Sequence, residues 1–305
     1  MVTFFIRRVI FLIPVLLFVA LITFTLMHLA PGGPWSGERN LPPAVERNLN
    51  EKYGLDRPVP EQFVLYLSNL LRGDLGLSFS KPGRSVQEVL GGGIGVTVQL
   101  GLIAALVAIL IGIPLGIIAA LRHNTAVDYI SMFTAIIGYT TPSFVLGIFL
   151  IVLFAVQLRV LPPSGWGRPA SMVLPVIALA AAPIAILARY TRASMLDILQ
   201  QDYVRTARSK GLAEQVVVLR HMLRNALLPV ITVLGPVTAA LVTGSFVVER
   251  MFRIPGIGRM YIDAIFARDY PLIMGTTLLY AVTVAVFNLI VDMLYVAVDP
   301  RISYR

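Results

Sequence analysis

Apolar positions in this chain fall in long continuous runs. They show neither the strict alternation of a half-buried strand nor the one-sided stripe of a surface helix. Six runs stand out, at about residues 9–30, 94–121, 129–158, 172–188, 226–248 and 272–297. A helix rises ~1.5 Å per residue and the hydrocarbon layer is ~30 Å thick, so each run reaches the length a crossing needs. A β-barrel would need alternating strands of about ten residues. These runs are unbroken and rich in Leu, Ile, Val, Ala and Gly, so the pattern predicts an all-α polytopic membrane protein with six transmembrane helices. The first run follows Arg7 and Arg8, exceeds the ~7–15-residue core of a secretory signal and ends at Ala30-Pro31-Gly32-Gly33; it reads as a retained span.

Between the first two runs the pattern changes. Residues 31–93 carry signals of short helices: Pro43 followed by Val45, Leu49 and Tyr53, then Phe63, Leu67, Leu70 and Leu71 stopping at Arg72-Gly73. Ser85-Val86-Gln87-Glu88 fits a capping box whose helix is expected to break at Gly91-Gly92-Gly93. The chain therefore divides into a first span (1–30), a cap (31–93) and a core of five spans (94–305). The cap reads either as a packed lid or as a surface for a partner. Prolines and glycines recur within the runs, at Gly112-Ile113-Pro114-Leu115-Gly116, Thr141-Pro142, Pro175, Pro183 and Gly235-Pro236. Each is read as a kink, a close helix contact or a bend along a path.

Composition sharpens this picture. Of 305 residues 57% are hydrophobic and 13% charged, and the net charge is +9. Lys and Arg set orientation: leaving out the long 31–93 segment, which translocates largely regardless of charge, twelve lie on the side of the N-terminus and six on the other. Both termini are placed in the cytoplasm, and the basic excess is a topology signal rather than a nucleic-acid footprint. The centres of the second to fifth runs hold essentially no ionisable residue, which argues against proton- or sodium-coupled transport. Asp292, four residues after Asn288, is the main exception, read as structural or as a relay; His28 and His221 read as structural hydrogen-bonders. There is no cysteine, so thiol chemistry is excluded. Lys52, Lys81 and Lys210 lack a Walker frame, the histidines form no HExxH, and Gly244-Ser245 lacks the spacing of a nucleophile elbow. No ATP site, cofactor site or metal site is expected in this chain.

The segment Asp202–Val230 interrupts the apolar pattern. The fourth run is expected to continue as a helix carrying Met195, Leu199 and Tyr203 on one face, and to break at Gly211. A second short helix with Leu212, Val216, Leu219 and Met222 apolar should follow, leading back to the membrane through Asn225–Pro229. Such a knob below a bilayer suits anionic lipid or a groove on another protein, and periodicity leaves both open.

Ala207 and Gly211 resemble the second alanine and the glycine of the EAA loop of ABC importer permeases. Arg205 and Thr206 stand where the general pattern has Glu and Ala, and Pro229 comes later, as in the peptide-importer branch. "RTARSKGL", "RHMLRNALLPV", "APGGPWSGERNLPP", "GDLGLSF", "TPSFVLG", "LPPSGW", "GPVTAALVTGSFVVE", "PGIGRMYIDAIFARDYP" and "VDMLYVAVDPRI", in order, resemble the B-type permease subunit of oligopeptide importers. The resemblance implies a type I permease fold in a bacterial inner membrane and cytoplasmic coupling helices at about 191–224. It also implies a heterodimer with a second permease, two cytoplasmic ATPases that bind the ATP, and an extracytoplasmic peptide-binding protein. ATPase coupling would fall to Tyr203, Arg205, Thr206, Ala207, Arg208, Gly211, Leu212, Arg220 and His221, with Arg205, Arg208 and Arg220 placing charge at the ATPase. Pro255, Gly256, Gly258, Asp269 and Tyr270 would touch the binding protein or gate the outer mouth; an ordinary loop fixed by proline and glycine is the other reading. A dipeptide, nickel or glutathione permease of the same family is the alternative function, with a stand-alone secondary transporter or channel further off and a membrane enzyme more remote still.

Overall fold

The computed structural model describes residues 2–35 and 42–298. Among them the chain is helical, with a single isolated β-bridge between Leu77 and Ser85. Helices long and apolar enough to cross a membrane are α1 (Val2–Leu29), α4 (Val86–Leu121), α7 (Pro169–Leu199), a continuous helix over Glu214–Val242 and α13 (Tyr270–Val298). The sixth expected run is not one rod. It is α5 (Ala126–Thr140) followed by α6 (Ser143–Leu150) and a π-helical stretch Ile151–Gln157, bent by 105° at Thr141-Pro142. Proline lacks an N–H and disfavours the helical conformation of the residue before it; Thr141 duly lies at ψ 120°.

The bent pair still counts as one crossing. The turn before α5 meets the cytoplasmic end of α7, where Arg192 binds Asp128. The loop after the π-helical stretch meets the opposite end of the bundle, where Gly165 N–H donates to Phe252 O at 2.8 Å, beyond the end of the Glu214–Val242 helix. Residues 126–157 therefore start on one side and finish on the other.

The chain forms two compact units, one built on the residues up to Thr97 together with Pro255–Ile290, the other chiefly on Val98–Ile254. In the first, α2 (Pro43–Tyr53) and α3 (Val59–Leu71) follow the expected caps, and Phe63, Tyr66 and Leu70 of α3 pack on a core of Phe24, Met27, Val86, Leu90 and Leu272. The capping box closes reciprocally: Glu88 N–H donates to Ser85 Oγ and Ser85 N–H to Glu88 Oε2, both at 3.2 Å. The expected break at Gly91–Gly93 does not occur, and α4 runs through it. Glycine costs a helix only ~1 kcal/mol per residue, which a long apolar helix absorbs. Gly93 instead permits a close approach, since a Cβ there would lie 3.2 Å from the backbone carbon of Gly256.

In the second unit α4 packs on α7 through small residues. A Cβ at Gly116 would lie 2.5 Å from Ala188 O, and one at Gly112 2.8 Å from Ile184 O. α5 lies along α7 in an extensive contact.

Asp269, expected at an outer contact, is fully buried in the first unit. Its Oδ2 accepts from Ser78 Oγ (2.5 Å), Ser80 N–H (2.9 Å) and Ser80 Oγ (2.7 Å), while Oδ1 caps α13 by accepting from Leu272 N–H at 3.1 Å. From this buried position it pins the end of the cap to the start of the last span. Asp269→Ala would strand these donors, at about 1–3 kcal/mol for each one that stays buried. The expected outcome is a detergent melting temperature lowered by several degrees and faster proteolytic cleavage between Arg72 and Arg84, measured by thermal melt and limited proteolysis.

Candidate functional site

The basic segment breaks twice rather than once. α7 stops at Leu199, Gln201 turns extended (φ −75°, ψ 143°), and α8 (Asp202–Ser209) begins. Neither glycine nor proline marks that first break, so residue patterning missed it. Gly211 makes the second, with φ +75°, in the left-handed region that side-chain-bearing residues rarely adopt. The return path then differs from the expected one. α9 (Glu214–Val216), a π-helical turn (Val217–Met222) and α10 (Leu223–Val242) run on as one helix, with Pro229 inside it and no break at Asn225–Pro229.

The π-helical turn carries an extra residue per turn and so rotates the following face. Val217, Val218 and Met222 point inward with Val204 and Ala207 of α8, packing on Ala120 and Met195 at the base of the spans. Of the expected apolar face, Met222 is buried while Leu212, Val216 and Leu219 are exposed, Leu219 by 66%. Tyr203 is exposed along its ring and accepts from Asn225 Nδ2 at 3.0 Å. Thr206 is exposed and His221 half-buried.

The three arginines expected to offer charge behave differently. Arg208 reaches across the Gly211 turn to Glu214, with Nη2 2.5 Å from Oε1 and Nε 3.1 Å from Oε2. The Glu214 carboxylate beside it raises the pKa of Arg208. Its charge is matched within the chain by a pair that spans the turn. Arg205 stands 3.9 Å from Asp202 in open solvent, and Arg220 is exposed. The result is a knob whose buried side is apolar and whose outer side shows three large aliphatic residues flanked by Arg205 and Arg220.

Further up the same unit lies a polar cluster absent from the expected sites. Asp128, 1% exposed in the first turn of α5, accepts from Arg192 Nε at 2.6 Å and Nη2 at 2.7 Å, and from Asn124 N–H at 3.1 Å. His123 Nδ1 lies 3.2 Å from Asp128 Oδ2 and 3.1 Å from Arg192 Nη2. Nothing in the local spacing pairs Asp128 with Arg192; only the antiparallel packing of α5 on α7 does.

At the outer residues, Gly256 and Gly258 are buried, with Ile257 N–H donating to Thr97 Oγ1 at 2.9 Å. Like Asp269, they lie on the buried side of the loop. Pro255 is exposed, and Tyr270 is half-buried with its hydroxyl donating to Met27 O at 3.2 Å. Exposed apolar surface on α12 (Ile257–Phe266) comes from Ile265 and, at 76%, Phe266. α11 (Phe246–Met251) starts at Ser245, whose hydroxyl accepts from Val248 N–H, and carries the fully buried Glu249. His28 bonds as a structural residue, to Phe24 O at 2.8 Å and Gln62 Oε1 at 3.2 Å. The side chain of Asp292 lies outside the described residues, as does most of "WSGERNL".

Comparison with known proteins gives this geometry a family. Residues 112–304 match the model described as "Binding-protein-dependent transport system inner membrane component", and residues 1–91 match the N-terminal model of the same membrane component. The chain is 46% identical over 288 residues to the dipeptide transport system permease protein DppB of Bacillus subtilis, covering 94% of each. It is 42% identical over 306 residues to the oligopeptide transport system permease protein OppB of Escherichia coli K12, covering 100% of both. Among solved structures, the inward-facing MetNI methionine ABC transporter aligns with a TM-score of 0.58 at 18% identity over 70% of this chain and 97% of that one, and so supports the fold. With both family models matched in order and full-length relatives above 40% identity, the chain belongs to the inner membrane components of bacterial binding-protein-dependent transport systems.

Proposed function

We propose that this chain is one of two permease subunits of an ATP-driven peptide importer, and that residues 202–222 are where its ATPases dock. The observation that carries the docking reading is the exposed aliphatic row Leu212, Val216 and Leu219 on a segment whose buried side is already packed. Burying such side chains is favourable by ~1.5–3 kcal/mol each, and a groove on a soluble partner supplies that burial. Arg205 and Arg220 at the rim would orient the docking.

Peptide as cargo rests on the named activities of the relatives and on the spans themselves. The middle thirds of α4, α5 and α10 hold no Asp, Glu, Lys, Arg or His, and that of α7 holds only Arg189, at its cytoplasmic edge. A path without fixed charge accepts varied side chains, leaving selectivity to the extracytoplasmic binding protein. Pro255, Ile265 and Phe266 are the residues we assign to contact that protein, with Tyr270 behind them. Identities to dipeptide and oligopeptide permeases are similar, so chain length of the cargo is set by experiment. A panel of di- to hexa-alanine, glutathione and nickel ion, offered to cells lacking only this chain and to complemented cells, should show complementation restoring uptake of one or more alanine peptides. Restoration of nickel or glutathione uptake alone would replace the peptide reading.

For the docking segment, Leu219→Glu should release the ATPases from the purified complex while the permease stays in the membrane; full retention of ATPases would refute the assignment. Gly211→Pro is incompatible with φ +75° and should abolish ATP-driven uptake. Gly211→Ala pays only the left-handed conformation, about 1–2 kcal/mol, because nothing lies within 4 Å of the added Cβ. It should retain partial uptake in the same transport assay.

A further inference from the structure

We propose that Asp128 and Arg192 are positioning residues that make α5 and α7 a single lever, carrying movement of the docking segment to the bend at Thr141-Pro142. The proposal rests on reading residues 202–222 as the ATPase-docking segment. Its own support is the way α5 is tied to α7 by three contacts, one at its first turn and two at adjacent residues near its other end. At the cytoplasmic end the Asp128 carboxylate, buried to 1% exposure, takes two parallel bonds from Arg192. Higher up, the Arg189 guanidinium of α7 sits 5.2 Å from the ring centroid of Tyr139. Near the top, a Cβ at Gly138 would lie 3.3 Å from Ala181 O and 3.7 Å from Ala181 Cβ, so the two backbones touch.

The positions at the two ends of this contact give it a purpose. Arg192 lies on the last turns of α7, immediately before the chain turns into α8. Gly138 lies immediately before the 105° bend into α6. Val204 and Ala207 of α8 pack with Met195 of α7, so a shift of α8 carries the lower end of α7 with it, and whether it reaches the bend depends on α5 following without slipping. Packing of small residues resists separation but resists sliding along the helix axis weakly. A bidentate guanidinium–carboxylate pair fixes register and orientation. Burial raises its stake: a one-residue slip would leave the buried Asp128 carboxylate without the two donors of Arg192. Asn124 N–H, on a residue held at φ +59°, locks the same carboxylate to the turn between α4 and α5.

The test uses the assembled transporter, with its ATPases and binding protein, in proteoliposomes. The readout is uptake per ATP hydrolysed of whichever alanine peptide the wild type takes up best. Asp128→Asn and Arg192→Gln are compared with wild type, each with and without the pair Gly138→Cys and Ala181→Cys. The chain has no cysteine of its own, and a Cβ separation of 3.7 Å suits a disulfide, whose usual range is ~3.5–4.5 Å. The expected result is that Asp128→Asn keeps its ATPases bound and hydrolysing while uptake per ATP falls at least tenfold. Oxidising the engineered pair should recover threefold or more of that loss and leave the otherwise wild-type transporter within twofold of its starting ratio. A helix pair that must slide during the cycle would instead be arrested by the oxidised pair, which overturns the proposal. So does an unchanged uptake ratio in both single variants. Should the single variants fail to accumulate, the oxidised pair in the wild-type background decides alone. Failure of the docking reading looks different: Leu219→Glu would then keep its ATPases, whatever Asp128→Asn does.

Discussion

Inside hydrocarbon a backbone N–H or C=O has no water to bond, and leaving one unsatisfied costs several kcal/mol. That constraint makes the places where this chain stops being helical its most informative positions. At Thr141-Pro142 the loss is limited: Thr141 N–H still reaches Ile137 O at 3.0 Å, Pro142 has no N–H to strand, and its carbonyl accepts from Leu146 at 3.0 Å. At Gln201 the carbonyl accepts from Val204 at 3.1 Å, and Gly211 N–H reaches Arg208 O at 2.9 Å, both in the polar zone outside the spans. Elsewhere the chain changes helical pitch instead of breaking. The π-helical stretches Ile151–Gln157 and Val217–Met222 keep the backbone bonded while redirecting side chains.

Charge is confined to the ends of the helices, and there it specifies more than it stabilises. Arg208–Glu214 is exposed on both sides, where such pairs contribute ~0–1 kcal/mol, yet its two parallel bonds fix the closure of the Gly211 turn. Asp128–Arg192 is mostly withdrawn from water, so its worth is small relative to an apolar replacement and large relative to a broken pair. The two pairs bracket the turns through which α7 leaves the membrane. Between them the exposed surface is aliphatic, and on the proposed docking reading affinity there comes from burial and orientation from the flanking cations.

The spans, the short helices of the cap, the Ser85–Glu88 box and the turn at Gly211 were legible because each is a local signal: a run of apolar residues, a cap residue, a glycine where only glycine fits. What the residues could not disclose depends on partners far away in the chain. Asp269 reads as an exposed outer acid until Ser78 and Ser80 arrive from the cap to surround it. Gly91–Gly93 reads as a helix breaker, and the length of the apolar helix outweighs the glycine cost. Leu212, Val216, Leu219 and Met222 read as one apolar face; only Met222 of them is buried, together with Val217 and Val218 of a π-helical turn that no single residue announces. Arg208 reads as a free surface cation, and its bond to Glu214 exists only because Gly211 folds the two helices together.

A transport permease has to convert movement into access, and rigid and compliant parts must then alternate along one path. Here the compliant points are few and small in sequence: Gln200-Gln201, Gly211 and Thr141-Pro142. Between them the structure stiffens by different means. Ala207, Val204, Met195 and Met222 pack the knob onto the base of the spans, the bidentate pair holds the foot of α7 to α5, and glycine and alanine bring the same helices into backbone contact above. Each device suits its surroundings. Apolar packing works where water can drive it, a charged pair where the membrane edge still solvates its rim, and close backbone contact where neither water nor charge is available.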